Sequence, residues 1–370
     1  MKKLIALLLA LVMVLGLVAC GASAPAETEA PKADAPAADA PAAEEPTVYD
    51  IKVSGHPYIH ALPSVYAIEQ GYFTPADTEV DMYAGGPVQN EAIASGAWDV
   101  GTTGTGGIVL GTVGYNLKAI AFTAPDENTV DLWVRPDSPL AQMEPDEKGV
   151  RGTAEDWKGL TILCPTGTSC HNHLIGVLQH LGLTQDDINL IDTSVADSYA
   201  AFKAGTGDVC ALWSPFGFQA EEDTDWVRVS VAVDLGIFMP CLVVATEEAI
   251  QNNWDGVYAY LKAYLQAATE LNADPEYTTQ FLYDFEEEQG IALSETAAVK
   301  EVENRPYASV ERNKELFTVR ADGGCEANDI VLRFAEFFES PGTISAADLA
   351  RLQETGLVDT SFMEAYMAGK

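Results

Sequence analysis

The sequence predicts an α/β protein with two lobes, a cleft between them and a helical C-terminal region. Strand-like segments alternate with helix-like segments from residue 48 to about residue 250. The alternation falls into two successive units, and the pattern becomes almost wholly helical after residue 254. Alternating strands and helices favour a parallel sheet covered by helices, so we expect each unit to build one lobe.

The first lobe is predicted to begin with residues 47–134. Its first strand, VYDIKVSG, precedes a helix that ends at Gly71, and a Gly-Gly-Pro turn separates the second strand from a short helix. A third strand, WDVGTTG, leads into a Gly-rich helix start. The predicted strands, some with their turns, lie in residues 48–55, 78–86, 98–104, 117–124 and 130–136, and the helices lie in 62–73, in 87–96 and after residue 104.

The second lobe is predicted to span residues 135–237. It reads as loop, strand, turn and helix in 153–183, strand in 188–194, helix in 196–207, strand and helix in 208–222, and strand in 227–233. Residues 238–370 are predicted to return to the first lobe with a strand and then to form helices, interrupted at Pro275, Pro306 and Pro341. Two crossovers make a cleft that closes by a hinge, and ligands of such sheets lie beyond the carboxyl ends of the strands.

Residues 1–19 have the pattern of a lipoprotein signal peptide. Lys2 and Lys3 precede an apolar run, and small residues then lead to Cys20. The apolar run is shorter than the ~20 residues that a membrane-spanning helix needs, which disfavours that alternative. We therefore expect cleavage before Cys20 and a diacylglyceryl group on its thiol, which supplies two chains for stable anchoring.

Composition predicts how the rest of the exported chain behaves. Residues 20–46 are mainly Ala, Pro, Glu and Asp, and we expect them to form a disordered tether behind the lipidated cysteine. The net charge of −36 repels nucleic acid and anionic lipid headgroups, so neither is expected as a partner. The five cysteines beyond Cys20 include no CxxC pair, and we expect most of them to be small buried residues; a disulfide in the second lobe is an open alternative.

Common catalytic motifs are absent from the sequence. It contains no G-x-S-x-G, no P-loop, no G-x-G-x-x-G after a strand and no HExxH. We therefore expect a binding protein without a cofactor, and a surface enzyme or an adhesin is the less favoured alternative.

Four segments between residues 48 and 250 resemble the nitrate, sulfonate and taurine family of solute-binding proteins. In chain order they are SGHPYIHALPSVYAIEQGYF, EAIASGAWDVGTTGTGG, DWKGLTILCPTGTSCHNHLIGVLQHLGLTQDDINLIDTS and AFKAGTGDVCALWSPF. The resemblance implies a type II periplasmic-binding-protein fold. It also implies a protein that delivers a small anionic or planar organic solute to an ABC permease.

This chain departs from the family pattern in two respects. The family often has an acid before the proline of the fourth segment, where this chain has Ser214. No Arg or Lys of the four segments is clearly placed to reach a cleft, which weakens the case for nitrate or a simple sulfonate. A pyrimidine-type vitamin precursor or a metal chelate is therefore an alternative solute.

A turn in the second lobe is the first candidate ligand-binding segment. Thr166, Gly167, Thr168 and Ser169 lie between a predicted strand and a predicted helix. Free backbone N–H groups and the positive end of the helix dipole suit an anionic group there, without a cationic side chain. The alternative is a plain helix cap.

The corresponding positions of the first lobe supply further candidates. Thr102, Thr103 and Gly104 follow the third strand, where small hydroxyl residues allow close approach and donate hydrogen bonds. Gly86 and Gln89 begin the helix after the second strand. A tight glycine turn without ligand contact is the alternative for these residues.

Aromatic and histidine side chains complete the set of candidates. Tyr58 and Trp213 are expected to form apolar walls or to stack on a planar solute, although an aromatic residue at a strand end is more often part of the core. Four histidines occur in segments expected to face the cleft: His56, His60, His171 and His173. His56 is the preferred ligand-binding candidate, and a metal site shared by these residues is disfavoured because His171 and His173 point to different faces of a helix.

These inferences predict where the protein acts. We expect a monomer on the extracytoplasmic face of the cell membrane, anchored through Cys20 and working with membrane subunits of an ABC permease. A lipid anchor is most useful where no outer membrane confines the protein, so a Gram-positive-type surface is favoured over a periplasm.

Overall fold

The computed structural model describes residues 47–370, and within them it confirms the α/β architecture. The predicted signal peptide, lipidated cysteine and tether fall in residues 1–46, outside the described residues. No helix among residues 47–370 has the length and apolar character that crossing a membrane requires.

Most strands occupy the segments that the sequence predicts, but the first predicted strand is divided in two and β3 lies outside every predicted strand. The strands are β1 (Val48–Tyr49), β2 (Val53–Gly55), β3 (Thr74–Pro75), β4 (Val80–Met82), β5 (Val100–Thr103), β6 (Lys118–Pro125), β7 (Val130–Val134), β8 (Thr161–Cys164), β9 (Asn189–Asp192), β10 (Val209–Trp213), β11 (Val227–Val231) and β12 (Pro240–Ala245). β1 pairs with β3 in a small separate sheet, whereas β2 enters one of the two large sheets.

Helices cover the faces of the sheets and form most of the C-terminal region. They are α1 (Leu62–Glu69), α2 (Gly86–Ile93), α3 (Thr105–Tyr115), α4 (Ala154–Trp157), α5 (Ser169–His180), α6 (Val195–Lys203), α7 (Phe216–Asp223), α8 (Glu247–Asn252), α9 (Trp254–Ala273), α10 (Pro275–Glu288), α11 (Glu295–Asn304), α12 (Val310–Phe317), α13 (Glu326–Glu339), α14 (Ala346–Thr355) and α15 (Ser361–Met367). As predicted, Pro275 begins α10, while Pro306 and Pro341 lie between helices.

Each lobe is built on a five-stranded sheet. The order is β4-β2-β5-β12-β6 in lobe 1 and β11-β7-β10-β8-β9 in lobe 2. β2 is parallel to β4 and β5, and β8 is parallel to β9 and β10, as the alternation predicts. β12 is antiparallel to both of its neighbours, and so is β7, so each sheet contains antiparallel pairs beside the predicted parallel ones. Both strands arrive from the other lobe without an α-helical crossover, and it is such a crossover within one sheet that gives a parallel direction.

The first crossover between lobes lies earlier than the sequence predicts. Residues 130–134 are expected in lobe 1, but as β7 they pair with β10 and β11 of lobe 2. The chain therefore crosses at residues 126–129, directly after β6. It returns between β11 and β12, and β12 pairs with β5 and β6 in lobe 1.

The two crossovers are hydrogen-bonded to each other. The backbone N–H of Asp126 donates to the carbonyl oxygen of Met239 over 2.7 Å. In return, the N–H of Met239 donates to Oε2 of Glu127 over 3.0 Å. This pair of adjacent connections is the expected geometry of a hinge.

Candidate ligand-binding site

A small cavity, with about 30 Å³ of room for the centres of water-sized molecules, lies between the two lobes beyond the carboxyl ends of the parallel strands. Both lobes and the first crossover line it, through His56, Tyr58, His60, Gly85, Gly86, Gly104, Gly106, Gly107, Asp126, Thr168, Ser169, Trp213, Cys241 and Arg305.

Three helices begin at the wall of this cavity: α2, α3 and α5. Glycines allow their ends to approach closely. A Cβ atom on Gly86 would lie 2.5 Å from Cα of Gly107, and one on Gly106 would lie 2.2 Å from the carbonyl oxygen of Gly167 in the other lobe. The positive ends of three helix dipoles therefore converge on one space, which favours an anionic or electron-rich group.

His56 is held as a neutral hydrogen-bonding group. Nε2 of Gln89 donates to Oγ of Ser54 over 2.9 Å and to the carbonyl oxygen of Thr102 over 3.1 Å, so Oε1 of Gln89 is an acceptor. His56 Nε2 lies 3.1 Å from that Oε1 and therefore carries the hydrogen, which leaves Nδ1 as an acceptor. Burial lowers the pKa of His56 to about 4, so the ring is uncharged at neutral pH.

The segment around Tyr58 to Ala61 is fixed from behind by C-terminal tyrosines. Tyr264 donates its hydroxyl hydrogen to the carbonyl oxygen of His60 over 2.8 Å, and Tyr307 donates to that of Ile59 over 2.9 Å. Each buried hydrogen bond of this kind contributes about 1 kcal/mol to stability. The C-terminal helices therefore help to position the wall of the cavity.

Two side chains of the wall bring polar atoms that have no hydrogen-bond partner among the described residues. They are both ring nitrogens of His60, which is 3% exposed, and Nε1 of Trp213, which is 9% exposed. Tyr58 packs edge-on against Trp213, with ring centroids 5.9 Å apart. Burial, with smaller contributions from nearby His56 and Arg305, lowers the pKa of His60 well below its usual value. Unpaired buried polar groups cost about 1–3 kcal/mol each, and a ligand that paired with them would recover this cost.

Arg305 is the cation of the site, and all its N–H groups are directed at protein atoms. It donates to Asp126 Oδ1, Glu301 Oε1 (2.7 Å), Pro125 O (3.0 Å), Ser214 Oγ (3.3 Å) and Cys241 Sγ (3.6 Å). Although burial disfavours its charge, the carboxylates of Asp126 and Glu301 raise the pKa of Arg305 above its usual value. The positive charge is thus compensated inside the protein.

Asp126 and Arg305 also connect the two lobes. Ser169, at the start of α5 in lobe 2, donates its hydroxyl hydrogen to Asp126 Oδ2 over 2.9 Å. Arg305, from the C-terminal region, reaches Ser214 at the end of β10 in lobe 2. Ser169, Asp126, Arg305 and Ser214 therefore form one polar network that spans the cleft.

The structure brings seven of the predicted site residues to the cavity wall: His56, Tyr58, Gly86, Gly104, Thr168, Ser169 and Trp213. The other five do not line it: Gln89, Thr102, Thr103, Thr166 and Gly167. Gln89 orients His56, and Thr102 and Thr103 are buried in β5. Thr166 N–H donates to Asp192 Oδ1 over 2.9 Å, and Gly167 N–H donates to His171 Nδ1 over 3.1 Å.

The histidines of α5 do not line the cavity, contrary to expectation. His171 Nε2 lies 2.9 Å from Gln185 Oε1, and His173 Nε2 lies 2.9 Å from Ser230 Oγ. Both side chains are used in packing within the fold. Across residues 47–370, no group of three or more His, Cys, Asp or Glu side chains is arranged to hold a metal ion.

Five residues of the wall were not identified from the sequence: Gly106, Gly107, Asp126, Cys241 and Arg305. Asp126 follows β6 directly and could have been found by the strand-end rule, had the crossover been placed there. Arg305 gives no local signal, because it follows a C-terminal helix and meets Asp126 from 179 residues away.

The five cysteines from Cys164 to Cys325 are buried free thiols, as expected of small core residues.

Comparisons with known proteins agree with this geometry. A protein of Brachyspira hyodysenteriae, described as an ABC transporter periplasmic binding protein, is 30% identical over 320 residues, 85% of this chain and 88% of the relative. A protein of Escherichia coli, described as an aliphatic sulfonates-binding protein, is 30% identical over 135 residues, 36% of this chain and 39% of the relative.

A solved structure and a family model extend the comparison. The alkanesulfonate-binding protein from Xanthomonas axonopodis pv. citri, solved with MOPS bound, has a TM-score of 0.63 at 20% identity and covers 83% of this chain and 99% of its own. The match confirms the expected periplasmic-binding-protein fold. The model of the family described as NMT1/THI5 like matches residues 59–278, which is more than half of the sequence. The chain belongs to the NMT1/THI5-like family.

Proposed function

We propose that this protein is the solute-binding component of an ABC importer and that it is not an enzyme. It holds one small organic solute in the cavity between its lobes and presents the closed form to the membrane subunits, which is a population shift. The observation that carries this proposal is the set of unpaired buried atoms on His60 and Trp213 at a cavity lined by both lobes. The names of the relatives support the same function.

The first candidate solute is a small sulfonate or similar anion. The three converging helix starts favour a negative group, and they do so without a free cationic side chain. The similarity to the Escherichia coli protein described as binding aliphatic sulfonates supports this class.

The second candidate is an uncharged planar heterocycle, such as a pyrimidine. Arg305 is already paired with Asp126 and Glu301, so the site has no uncompensated cation for an anion to meet. Trp213 Nε1 offers a donor, while His56 Nδ1 and one nitrogen of neutral His60 offer acceptors. A flat molecule bearing both N–H and C=O groups satisfies this pattern.

The proposed location follows from the sequence before residue 47. Anchoring through lipid on Cys20 keeps the receptor near its permease, at the extracytoplasmic face of the membrane and, in our proposal, as a monomer on a Gram-positive-type surface. The tether of residues 20–46 gives the folded part freedom to reach the permease.

A thermal-shift panel on residues 47–370 tests the function and separates the candidates. The panel contains alkanesulfonates, taurine, nitrate, pyrimidines, aromatic acids and divalent metal ions, with sugars and peptides as comparison classes. A solute at 100 times its dissociation constant adds about 2.7 kcal/mol of stability, which is easily measured. Sulfonate shifts support the first candidate, and pyrimidine shifts support the second. Shifts with sugars or peptides alone contradict the proposed solute class, and the absence of any shift contradicts solute binding.

A further inference from the structure

A second concave surface lies on the outside of lobe 1, between α10 and α11. This groove has a volume of about 810 Å³ and lies among the C-terminal helices, apart from the cavity between the lobes. Its floor is apolar. Tyr277 of α10 is 45% exposed and Val299 of α11 is 43% exposed, although both are large hydrophobic side chains. Exposed apolar side chains grouped in a groove offer an apolar surface that a partner can cover.

The rim of the groove is uniformly acidic. Asp274 and Glu276 lie at the start of α10, and Glu295 and Glu303 lie near the two ends of α11. All four are exposed, and every charged side chain that lines the groove within the described chain is an acid. An apolar floor with an acidic rim is complementary to a segment that is apolar on one face and basic on the other.

α11 joins this groove to the lobes and to the ligand cavity. On a different face of the helix from Val299, Lys300 forms an ion pair of 2.7 Å with Glu221 of α7 in lobe 2. Ser294, at the N-cap of α11, donates its hydroxyl hydrogen over 2.5 Å to the carboxylate of Glu222, which also lies in α7. Glu301 binds Arg305 at the cavity wall. One wall of the groove is therefore tied to lobe 2 and to the polar network between the lobes.

We propose that the groove between α10 and α11 docks a basic, amphipathic helical segment of the importer's membrane subunit. α11 has 10 residues and is about 15 Å long, which suits an occupant of about ten helical residues. Because α11 contacts lobe 2, the groove has a different setting when the lobes separate, so docking distinguishes closed from open receptor. This inference rests on the proposed function, since it assumes a membrane subunit as partner.

A synthetic peptide tests the groove without knowledge of the permease. The probe is a labelled 12-residue helical peptide with leucines on one face and lysines on the other, titrated into the folded chain at 0.15 M salt and followed by fluorescence anisotropy. The groove variant is Glu295→Lys with Glu303→Lys. Its matched control is Glu336→Lys with Glu354→Lys, which changes the net charge equally on α13 and α14.

We expect the groove variant to weaken peptide binding roughly tenfold or more, since two attractive rim charges become repulsive. The control should change it less than about twofold, because distant charges are screened over about 8 Å at this salt concentration. Val299→Ser should also weaken binding. Equal losses of peptide affinity in the groove variant and its control would overturn the proposal, and so would a wild type that does not bind the peptide. A dimer in light scattering that the groove variant abolishes would also overturn it, because a second copy of the chain would then occupy the groove.

The solute panel keeps this outcome separate from that of the proposed function. Both charge variants should retain the wild-type thermal shift with the solute, because the substituted residues lie outside the cavity. If the solute shift is present and peptide binding is unspecific, the groove assignment alone is wrong. If no solute gives a shift, the function on which the assignment rests is wrong.

Discussion

Closure of the lobes depends on the absence of a side chain at Gly106. A Cβ atom there would lie 2.2 Å from the carbonyl oxygen of Gly167 and 2.7 Å from Cα of Thr168, both in lobe 2. Normal contact needs about 3.5 Å, so Gly106→Ala should hold the lobes apart by roughly 1 Å at this point. The atoms it meets are backbone atoms, which cannot rotate away.

We expect Gly106→Ala to weaken solute binding without destabilising the ligand-free fold. A separation of this size breaks two or so hydrogen bonds between the solute and the second lobe, worth about 1 kcal/mol each. We therefore expect Gly106→Ala to weaken solute affinity roughly 30-fold. Alanine also favours helix over glycine by about 1 kcal/mol, so the ligand-free melting temperature should not fall.

Gly114→Ala provides a matched control in the same helix. A Cβ atom on Gly114 would meet nothing within 4 Å, so this variant gains helix propensity without a contact between lobes. Calorimetric titration of the solute should show wild-type affinity for Gly114→Ala and a large loss for Gly106→Ala. Equal affinities for the two variants would show that the lobes do not close at this contact when the solute binds.

Three further predictions concern charge and anchoring. Arg305→Met leaves the buried carboxylates of Asp126 and Glu301 without their cation, so urea unfolding at pH 7.5 should show a free energy of unfolding lower by about 3–5 kcal/mol. The loss should be smaller at pH 5, because the unpaired carboxylates take up protons there. An equal loss at pH 7.5 and pH 5 would contradict the ion pairing. Burial raises the pKa of Asp131 from 3.8 to about 7, so the free energy of unfolding should fall as pH rises from about 4 to about 7. Asp131→Asn should flatten this fall in urea unfolding measured across that pH range, and an unchanged pH profile would refute the raised pKa. Cys20→Ser should move the protein from the membrane fraction to the medium, whereas retention at the membrane would exclude lipid on Cys20 as the anchor.

The strands and helices could be predicted because their signals are local. Gly71 has a φ of +73° just after α1, and the turn from Gly85 to Pro87 introduces α2, as the sequence indicates. The lobe of β7 could not be predicted in this way. All five of its residues are buried, so the strand has no exposed face whose pattern shows which sheet it joins.

The site residues show the same difference between local signals and tertiary packing. The rule that ligands lie beyond strand ends led to His56 and Trp213, because both positions depend only on where a strand ends. The pairing of Arg305 with Asp126 depends on how the C-terminal helices pack on lobe 1, and no spacing in the sequence encodes that packing. The sequence therefore predicts the walls of the cavity, but the charge compensation is visible only in three dimensions.

Calorimetric titration of wild type and two tryptophan variants tests the central claim, that a solute pairs with the unpaired atoms of this cavity. The titrant is the solute that gives the largest thermal shift. Trp213→Phe removes the unpaired Nε1 donor, while Trp226→Phe is the control, since Trp226 packs on Phe202 away from the cavity. We predict one solute per chain and an affinity about tenfold weaker for Trp213→Phe alone. Wild-type affinity in Trp213→Phe would contradict the account.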